Sequence, residues 1–409
     1  MQQFPGTHPE SPVSPASPTA TNSGAADGYR YARQVSLPGF GIESQQALGR
    51  ARVLVIGAGG LGSSVIPALA AAGIGTIGII DDDFVETSNL HRQYLHSPAD
   101  VGRSKVDSAA DSVAALNPEV TVVAHPERLD ASNALQLFAH YDVVIDGSDN
   151  FPTRYLANDA AAITGIPLVW GAVSQYAGQA GVCFAPGAPN YRDLFPTPPP
   201  PGSVVSCAVG GVLPTVCAVI GSILATETIK LLTGVGTPLL GRVTTFDALT
   251  GAFRELRYEA DPTAAPITAL VDYDLFCGIR APESSGVDRQ SEPTDEPRHT
   301  VSAGELMSEL DAAPEGTAPV LLDVRETWEV AIAALPGAVV YPLGTLDVAL
   351  ERGLTDLDPA EPVVVYCHHG VRSETALQIL FDHGFTAARH LDGGIDAWSR
   401  TVDPALPRY

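Results

Sequence analysis

The patterned part of the chain opens on residues 53–56, an unbroken apolar run of the kind that forms a strand covered on both faces. Gly57, Gly59, Gly60 and Gly62 follow. An Ala-rich, helix-forming segment then runs to Gly73, and a second apolar run at 77–80 stops at three aspartates, Asp81 to Asp83. The pattern predicts strand, glycine turn, helix, strand, acid. Further on it predicts a helix from Lys105 to about Leu116, ended by Asn117-Pro118. A strand over 120–124, a helix over 132–140 and a strand over 141–146 come next, the last running into Gly147-Ser148-Asp149-Asn150. Residues 171–184 read as a strand pair. The uncharged stretch 208–225 is near the lower length limit for a membrane span. Its Gly210, Gly211, Pro214 and Gly221, and the Glu227 and Lys230 that follow, make it a buried helix. Residues 281–298 are almost without apolar side chains and read as a linker. Beyond them the pattern resumes with a helix over 303–310, a strand over 320–324, a short apolar segment at 341–343, a strand over 363–367 and a helix over 373–383. The fold class is α/β, with a mostly parallel sheet over 28–280 and a smaller α/β unit over 298–409. Residues 1–27, rich in Pro, Ser, Thr and Gly, read as a disordered tail.

Composition narrows the function. A chain of 409 residues with 45% hydrophobic content has material for two or three cored domains. Its net charge of −24 leaves no basic stripe for a nucleic-acid backbone or an anionic membrane surface. The 5 cysteines (Cys183, Cys207, Cys217, Cys277, Cys367) are odd in number and lack framework spacing, which points to a reducing, cytoplasmic setting. The first 27 residues have neither the basic start nor the apolar core of a signal peptide.

The stretch 53–83 carries the dinucleotide-fold fingerprint, with its acid about 20 positions after the glycines. Glycines let the backbone turn tightly and approach a phosphate, and the following helix start offers free N–H groups. Residues 85–93 (VETSNLHRQ) and 101–105 (VGRSK) add Asn89, Arg92 and Lys105 beside the nucleotide cleft. A dehydrogenase needs no such cations; an enzyme that splits ATP between its phosphates does, because charge grows on the leaving pyrophosphate. Asp149, at a strand's carboxyl end, faces the cleft and suits Mg²⁺ beside phosphates; an Asx turn made with Asn150 is the other reading.

Together GAGGLG, SNLHRQ, VGRSK and DGSDN resemble the motifs of the adenylating enzymes that activate ubiquitin-like sulfur carriers, relatives of ubiquitin-activating enzymes, over about residues 29–280. The resemblance implies a Rossmann-like adenylating domain. It also implies an ATP site of Gly57, Gly59, Gly60, Gly62, Asp81, Asp83, Ser88, Asn89, Leu90, His91, Arg92, Lys105, Asp149 and Asn150, with Mg²⁺ at Asp149. It implies a homodimer in which Arg33, on a short helix before the first strand, reaches the partner subunit's site. Cys207, just before an apolar helix whose start would favour a thiolate, is implied to receive the activated carrier or its sulfur. Cys183 and Cys217 read as core residues. Many relatives hold structural zinc with two C-x-x-C pairs; here Asn190, Asp193 and Asp274 stand with Cys277, and a single thiolate cannot make that site. The expectation is no zinc.

In the C-terminal unit Cys367 ends a strand and opens the loop Cys-His-His-Gly-Val-Arg, closed by Arg372 before a helix. Loop N–H groups and a helix start there are built to hold an anion and stabilise a thiolate. Phosphatase loops carry one more residue between Cys and Arg; the spacing here suits a persulfide. With Leu322-Asp323-Val324-Arg325-Glu326, Leu391-Asp392-Gly393-Gly394 and Trp398, the unit resembles rhodanese sulfurtransferases over about 298–405. The two resemblances imply adenylation of a Gly-Gly-ending carrier's C-terminal glycine, then sulfur delivery from Cys367 to give a thiocarboxylate. The sulfur would come from a cysteine desulfurase or thiosulfate, and the molybdopterin, thiamine, cysteine and tRNA pathways all fit. The rival readings are an NAD-dependent oxidoreductase with a regulatory rhodanese module, and a silent scaffold for a ubiquitin-like protein.

Overall fold

The computed structural model of the protein describes residues 30–183, 188–199, 210–279, 299–314, 317–353 and 357–408. The expected tail, the expected linker and Cys207 lie outside these residues. The chain divides into two compact units, the first running to Cys277 and the second beginning at Gly278.

The N-terminal unit begins with α1 (Ala32–Val35), α2 (Gly41–Arg50), β1 (Arg52–Ile56), α3 (Gly62–Ala72), β2 (Thr76–Ile80), α4 (Lys105–Leu116) and β3 (Thr121–His125). It continues through α5 (Ala134–Phe138), β4 (Val143–Asp146), α6 (Phe151–Thr164), β5 (Leu168–Ser174), β6 (Ala177–Cys183), α7 (Tyr191–Leu194), α8 (Pro214–Thr233), β7 (Arg242–Asp247), β8 (Ala252–Arg257) and α9 (Tyr273–Phe276). The 8-stranded sheet has the order β3-β2-β1-β4-β5-β6-β7-β8. The strands from β3 to β5 are parallel and those from β6 onward antiparallel.

The unbroken apolar run of β1 follows from its central place. Val53 and Val55 join one core with α3 and α8, while Leu54 and Ile56 join another with α5 and α6. A strand covered on both sides has no polar face. The uncharged stretch becomes α8, which begins at Pro214. By length and composition that helix could cross a membrane. Here Val216, Ile220 and Leu224 are fully buried in the first core. Each such side chain contributes about 1.5–3 kcal/mol by leaving water. The helix expected from Lys105 spans Lys105–Leu116, whereas that expected over 132–140 is the shorter α5.

A polar staple ties α6, α7 and α9 together. Asp159 accepts from Arg192 Nε at 2.7 Å, Arg192 Nη2 at 2.6 Å and Tyr273 Oη at 2.7 Å. The guanidinium also lies over the rings of Phe276 and Tyr155, 4.6 and 5.2 Å from their centroids. Asn190 and Asp193 form the capping box of α7, and Asp193 Oδ1 accepts from Asp261 N at 2.9 Å. Asp274 pairs with exposed Arg128 at 3.2 Å, and Cys277 is buried in the second core.

The C-terminal unit comprises β9 (Thr300–Val301), α10 (Ala303–Ala312), β10 (Val320–Asp323), α11 (Thr327–Val330), β11 (Val339–Val340), α12 (Leu343–Glu351), β12 (Val363–Tyr366), α13 (Val371–Asp382), β13 (Ala388–Leu391) and α14 (Gly394–Thr401). Its 5-stranded sheet has the order β11-β10-β12-β13-β9, parallel throughout. Two cores flank it. Cys367 follows β12 directly, and α13 starts at Val371, inside the loop that the sequence closed with Arg372.

Asp159→Asn should strand the Arg192 guanidinium and lower unfolding stability by about 3 kcal/mol. Arg128→Ala, at an exposed pair, should cost less than about 1 kcal/mol. Urea titration of both variants checks the contrast; equal midpoints would refute the staple.

Candidate active sites

The parallel sheet reverses its winding between β1 and β4, the place where open α/β sheets leave a crevice at their carboxyl ends. Gly57 turns the chain there at φ +90°, and a Cβ on it would lie 3.3 Å from the Gly147 carbonyl after β4. At Gly62 a Cβ would come within 2.2 Å of the Gly57 carbonyl, so only glycine closes this loop onto α3. Asp81, at the end of β2, accepts from Ala58 N at 2.8 Å and Asp83 N at 2.9 Å. Burial pushes its carboxyl up from the usual range, while Lys105 and those two N–H groups pull it down. Two buried residues absent from the sequence-based site complete the clamp. His96 Nε2 donates to Ala58 O at 2.9 Å and its Nδ1 accepts from Ser108 Oγ at 2.8 Å. The Ala58 carbonyl, which can only accept, places the ring proton on Nε2, and burial lowers the His96 pKa. Gln93 Nε2 lies 3.6 Å from the Cβ position of Gly59.

The expected cations stand around this loop. Arg92 Cδ is 3.8 Å from the Cβ position of Gly60, and its Nη2 donates to Asn89 Oδ1 at 3.1 Å. Its Nη1 reaches Ser88 O at 3.3 Å and His91 Nε2 at 2.9 Å. Burial and Arg92 both lower the His91 pKa. Lys105 is buried, and its Nζ donates to exposed Asp83 at 2.8 Å. Leu90 is half-buried. Asp149 and Asn150 are exposed at the loop after β4. Asn150 Oδ1 accepts from Thr153 N at 2.9 Å, so this residue caps α6. Asp146 makes the local turn, accepting from Ser148 N and Oγ. Its Oδ2 lies 3.7 Å from Arg154 Nε, and neither atom has a hydrogen-bond partner among the described residues.

Arg33 stands apart from this constellation. Tyr31 fits over Gly73 and bonds Asn117 at 2.8 Å, and Gln34 donates to Ala72 O at 3.1 Å. These contacts dock α1 at the carboxyl end of α3, whereas the glycine loop is at its start. The 11 residues of α3 separate the two ends by about 16 Å. The core expectations for Cys183 and Cys217 match the structure, both being buried. Burial pushes the Cys183 thiol up to about 12 and that of Cys277 to about 11. Cys217 Sγ sits 3.0 Å from the Cβ position of Gly60.

In the C-terminal unit the Cys367 loop is held by α14. Ile395 N donates to Cys367 O at 2.9 Å and Asp396 N to His368 O at 3.1 Å. A Cβ on Gly394 would meet those carbonyls at 2.5 and 2.4 Å. The thiol itself accepts from Gly370 N at 3.1 Å and lies 3.7 Å from Ser373 Oγ. His368 stacks on His369 with centroids 3.9 Å apart; burial first, then His369, brings the His368 pKa to about 4. Arg372 closes the loop in sequence, yet its guanidinium is engaged by Glu329 of α11. Its place at the end of the loop is as the spacing gave it, and its charge is paired with Glu329. Glu329 went unnoticed because it lies outside the Leu322–Glu326 motif, in the first turn of the helix that Glu326 caps.

Residues 31–266 match the ThiF family, and residues 306–401 match the rhodanese-like domain. The chain is similar to the probable adenylyltransferase/sulfurtransferase MoeZ of Mycobacterium tuberculosis, 46% identical over 385 residues that cover 93% of this chain and 95% of that protein. It is also similar to the adenylyltransferase and sulfurtransferase MOCS3 of Drosophila yakuba, 40% identical over 419 residues, 100% of this chain and 90% of that one. Among solved structures, E. coli MccB with MccA-N7isoASN shares the fold at a TM-score of 0.54 and 21% identity, covering 60% of this chain and 76% of that one. A glycine loop at a winding reversal and a thiol loop on a second parallel sheet thus agree with the chain's relatives: it belongs to the ThiF family and carries a C-terminal rhodanese-like domain.

Proposed function

We propose that the protein is an ATP-dependent adenylyltransferase and sulfurtransferase acting on a ubiquitin-like sulfur carrier protein. The carrying observation is the union, in one chain, of a cation-ringed glycine loop and a cysteine whose Sγ accepts a loop N–H at 3.1 Å. The relatives' names support the adenylating reading and lend nothing to the NAD-dependent one. ATP binds along the Gly57–Gly62 loop, with its ribose at Asp81. Arg92 and Lys105 face the phosphates, with Ser88, Asn89, Leu90 and His91 lining the site. Lys105 exchanges Asp83 for phosphate, a move the exposed Asp83 allows. The carrier's terminal carboxylate attacks the α-phosphorus, the bond to the bridging oxygen breaks, and pyrophosphate leaves with an acyl-adenylate remaining. No general base is required, since the attacking carboxylate is already ionised. The carboxyl end of β4 fits a hard divalent cation. Asp149 makes no hydrogen bond among the described residues, and Asp146 behind it keeps an unpartnered oxygen. Asp149 would hold Mg²⁺, which when bound offsets charge on the leaving phosphates. Cys367 carries the sulfane sulfur, supplied by a cysteine desulfurase or thiosulfate; its persulfide displaces AMP from the acyl-adenylate, and a thiol then splits the acyl disulfide to release the thiocarboxylate, leaving a disulfide that a thiol reductant reopens. Cys207 serves as relay or resolving thiol.

The protein works without zinc and in the cytoplasm. Asn190 and Asp193 are spent on the α7 capping box, and the Asp159 staple holds the neighbouring helices. The enzyme is a homodimer with Arg33 acting on the partner's site, a reading supported by the docking of α1 at the far end of α3.

The two partial reactions should separate. Asp149→Ala should reduce carrier-dependent pyrophosphate exchange into ATP by about a hundredfold. Cys367→Ala should erase sulfur transfer from thiosulfate while exchange survives. Nucleotide-dependent NADH oxidation without exchange would refute the adenylating assignment. Mixed dimers of Arg33→Ala and Lys105→Ala should regain activity through one intact site; no gain despite proven subunit exchange would place Arg33 in its own subunit's site. Metal analysis should find no stoichiometric zinc, and dialysis against a chelator should leave the melting temperature unchanged; a one-to-one zinc content would overturn the zinc-free reading.

A further inference from the structure

Glu329 does not touch the reactive thiol, yet it controls the charge beside it. Its Oε2 accepts from Arg372 Nη1 and its Oε1 from Nη2, both at 2.6 Å. Oε2 also accepts from Glu326 N at 2.9 Å, which locks the carboxylate at the start of α11. Glu329 is 3% exposed and Arg372 9%. In such a buried bidentate pair the two charges cancel, and each is costly without the other. A guanidinium free to turn into the loop would join the N–H groups around Cys367 in gripping the oxygens of a phosphate or sulfate. Instead the Cys367 loop offers hydrogen bonds with its arginine charge already neutralised. His368, next in the chain, is uncharged at neutral pH. Asp396 beyond it is paired with Arg408 at 2.7 Å and Arg400 at 3.1 Å.

We infer that Glu329 is a positioning residue that sets donor selectivity: by engaging Arg372 it denies the loop a grip on tetrahedral oxyanions and favours a donor that presents a bare terminal sulfur. The inference rests on Cys367 being the sulfur-accepting thiol. With a persulfide donor, the Cys367 thiolate attacks the outer sulfur, the donor's S–S bond breaks, and the donor departs as a thiolate. Cys367 is left as the persulfide, and no external oxidant or reductant is consumed. A donor such as thiosulfate must instead seat an oxyanion group, and that is where a free Arg372 would help.

The test uses the full-length protein, with thiosulfate and glutathione persulfide as donors and inorganic phosphate as inhibitor. Wild-type transfer from the persulfide should be insensitive to millimolar phosphate. Glu329→Gln should lower the KM for thiosulfate and the phosphate inhibition constant, each about tenfold, with kcat on the persulfide within about threefold. Phosphate should then raise the melting temperature of Glu329→Gln and not that of wild type. Glu329→Asp keeps the charge and should remain phosphate-insensitive, which a purely packing role for Glu329 would not require. If Glu329→Gln fails to fold, wild type and the neutral double variant Glu329→Gln/Arg372→Gln decide. Phosphate insensitivity of both supports the inference, and competitive inhibition of either overturns it. Unchanged thiosulfate and phosphate constants in folded Glu329→Gln would also overturn it, while a dead Cys367→Ala leaves the sulfur-donor assignment standing. Transfer that survives Cys367→Ala would sink that assignment itself.

Discussion

At the reversal of the large sheet, the chain leaving β1 and the chain leaving β4 come so close that a Cβ on Gly57 would press on the Gly147 carbonyl at 3.3 Å. That approach makes the glycine loop and the Asp149 loop two walls of one crevice. It needs the Gly57 turn, the Gly62 contact with the Gly57 carbonyl and the hydrogen bonds that pin Ala58 from either side, Asp81 on its N–H and His96 on its carbonyl. The rest of the N-terminal unit supports this point. The two cores on either side of β1 hold the strand ends level, and α8 supplies much of one of them.

Both units prepare a place for negative charge with opposite electrostatics. The nucleotide crevice keeps cations that can change partners, with buried Lys105 on the exposed carboxylate of Asp83 and Arg92 on the neutral partners Asn89, Ser88 and His91. The thiol loop buries its arginine against a glutamate and gives the thiol the Gly370 N–H. A site for a triphosphate requires mobile positive charge to follow the leaving group. A sulfur atom that comes and goes as a thiolate or persulfide needs polarisable hydrogen bonding and exclusion of water.

Asp159, Arg192 and Tyr273 join the helices α6, α7 and α9 through one buried carboxylate, with Phe276 and Tyr155 stacked around the guanidinium. No local pattern announces such a staple, because its three polar members come from distant parts of the chain.

What the sequence by itself determined is whatever follows from spacing of a few residues. The strand, glycine turn and helix at 53–73, the start of α4 at Lys105, the buried strand pair β5–β6, and a cysteine at a strand end were legible because backbone conformation and strand burial are written in neighbouring residues. The loop motifs that carry Asp81, Asn89, Arg92 and Asp149 are short and local for the same reason. Tertiary structure alone decided who neutralises whom. Glu329 meets Arg372 across a gap of 43 residues, His96 reaches back to Ala58, and Asp159 gathers Arg192 and Tyr273. It also decided that α1 docks at the end of α3 remote from the glycine loop, leaving Arg33 outside the crevice of its own unit. A charge near a motif advertises a role in sequence, but its partner is chosen by the packing of elements that sequence distance keeps apart.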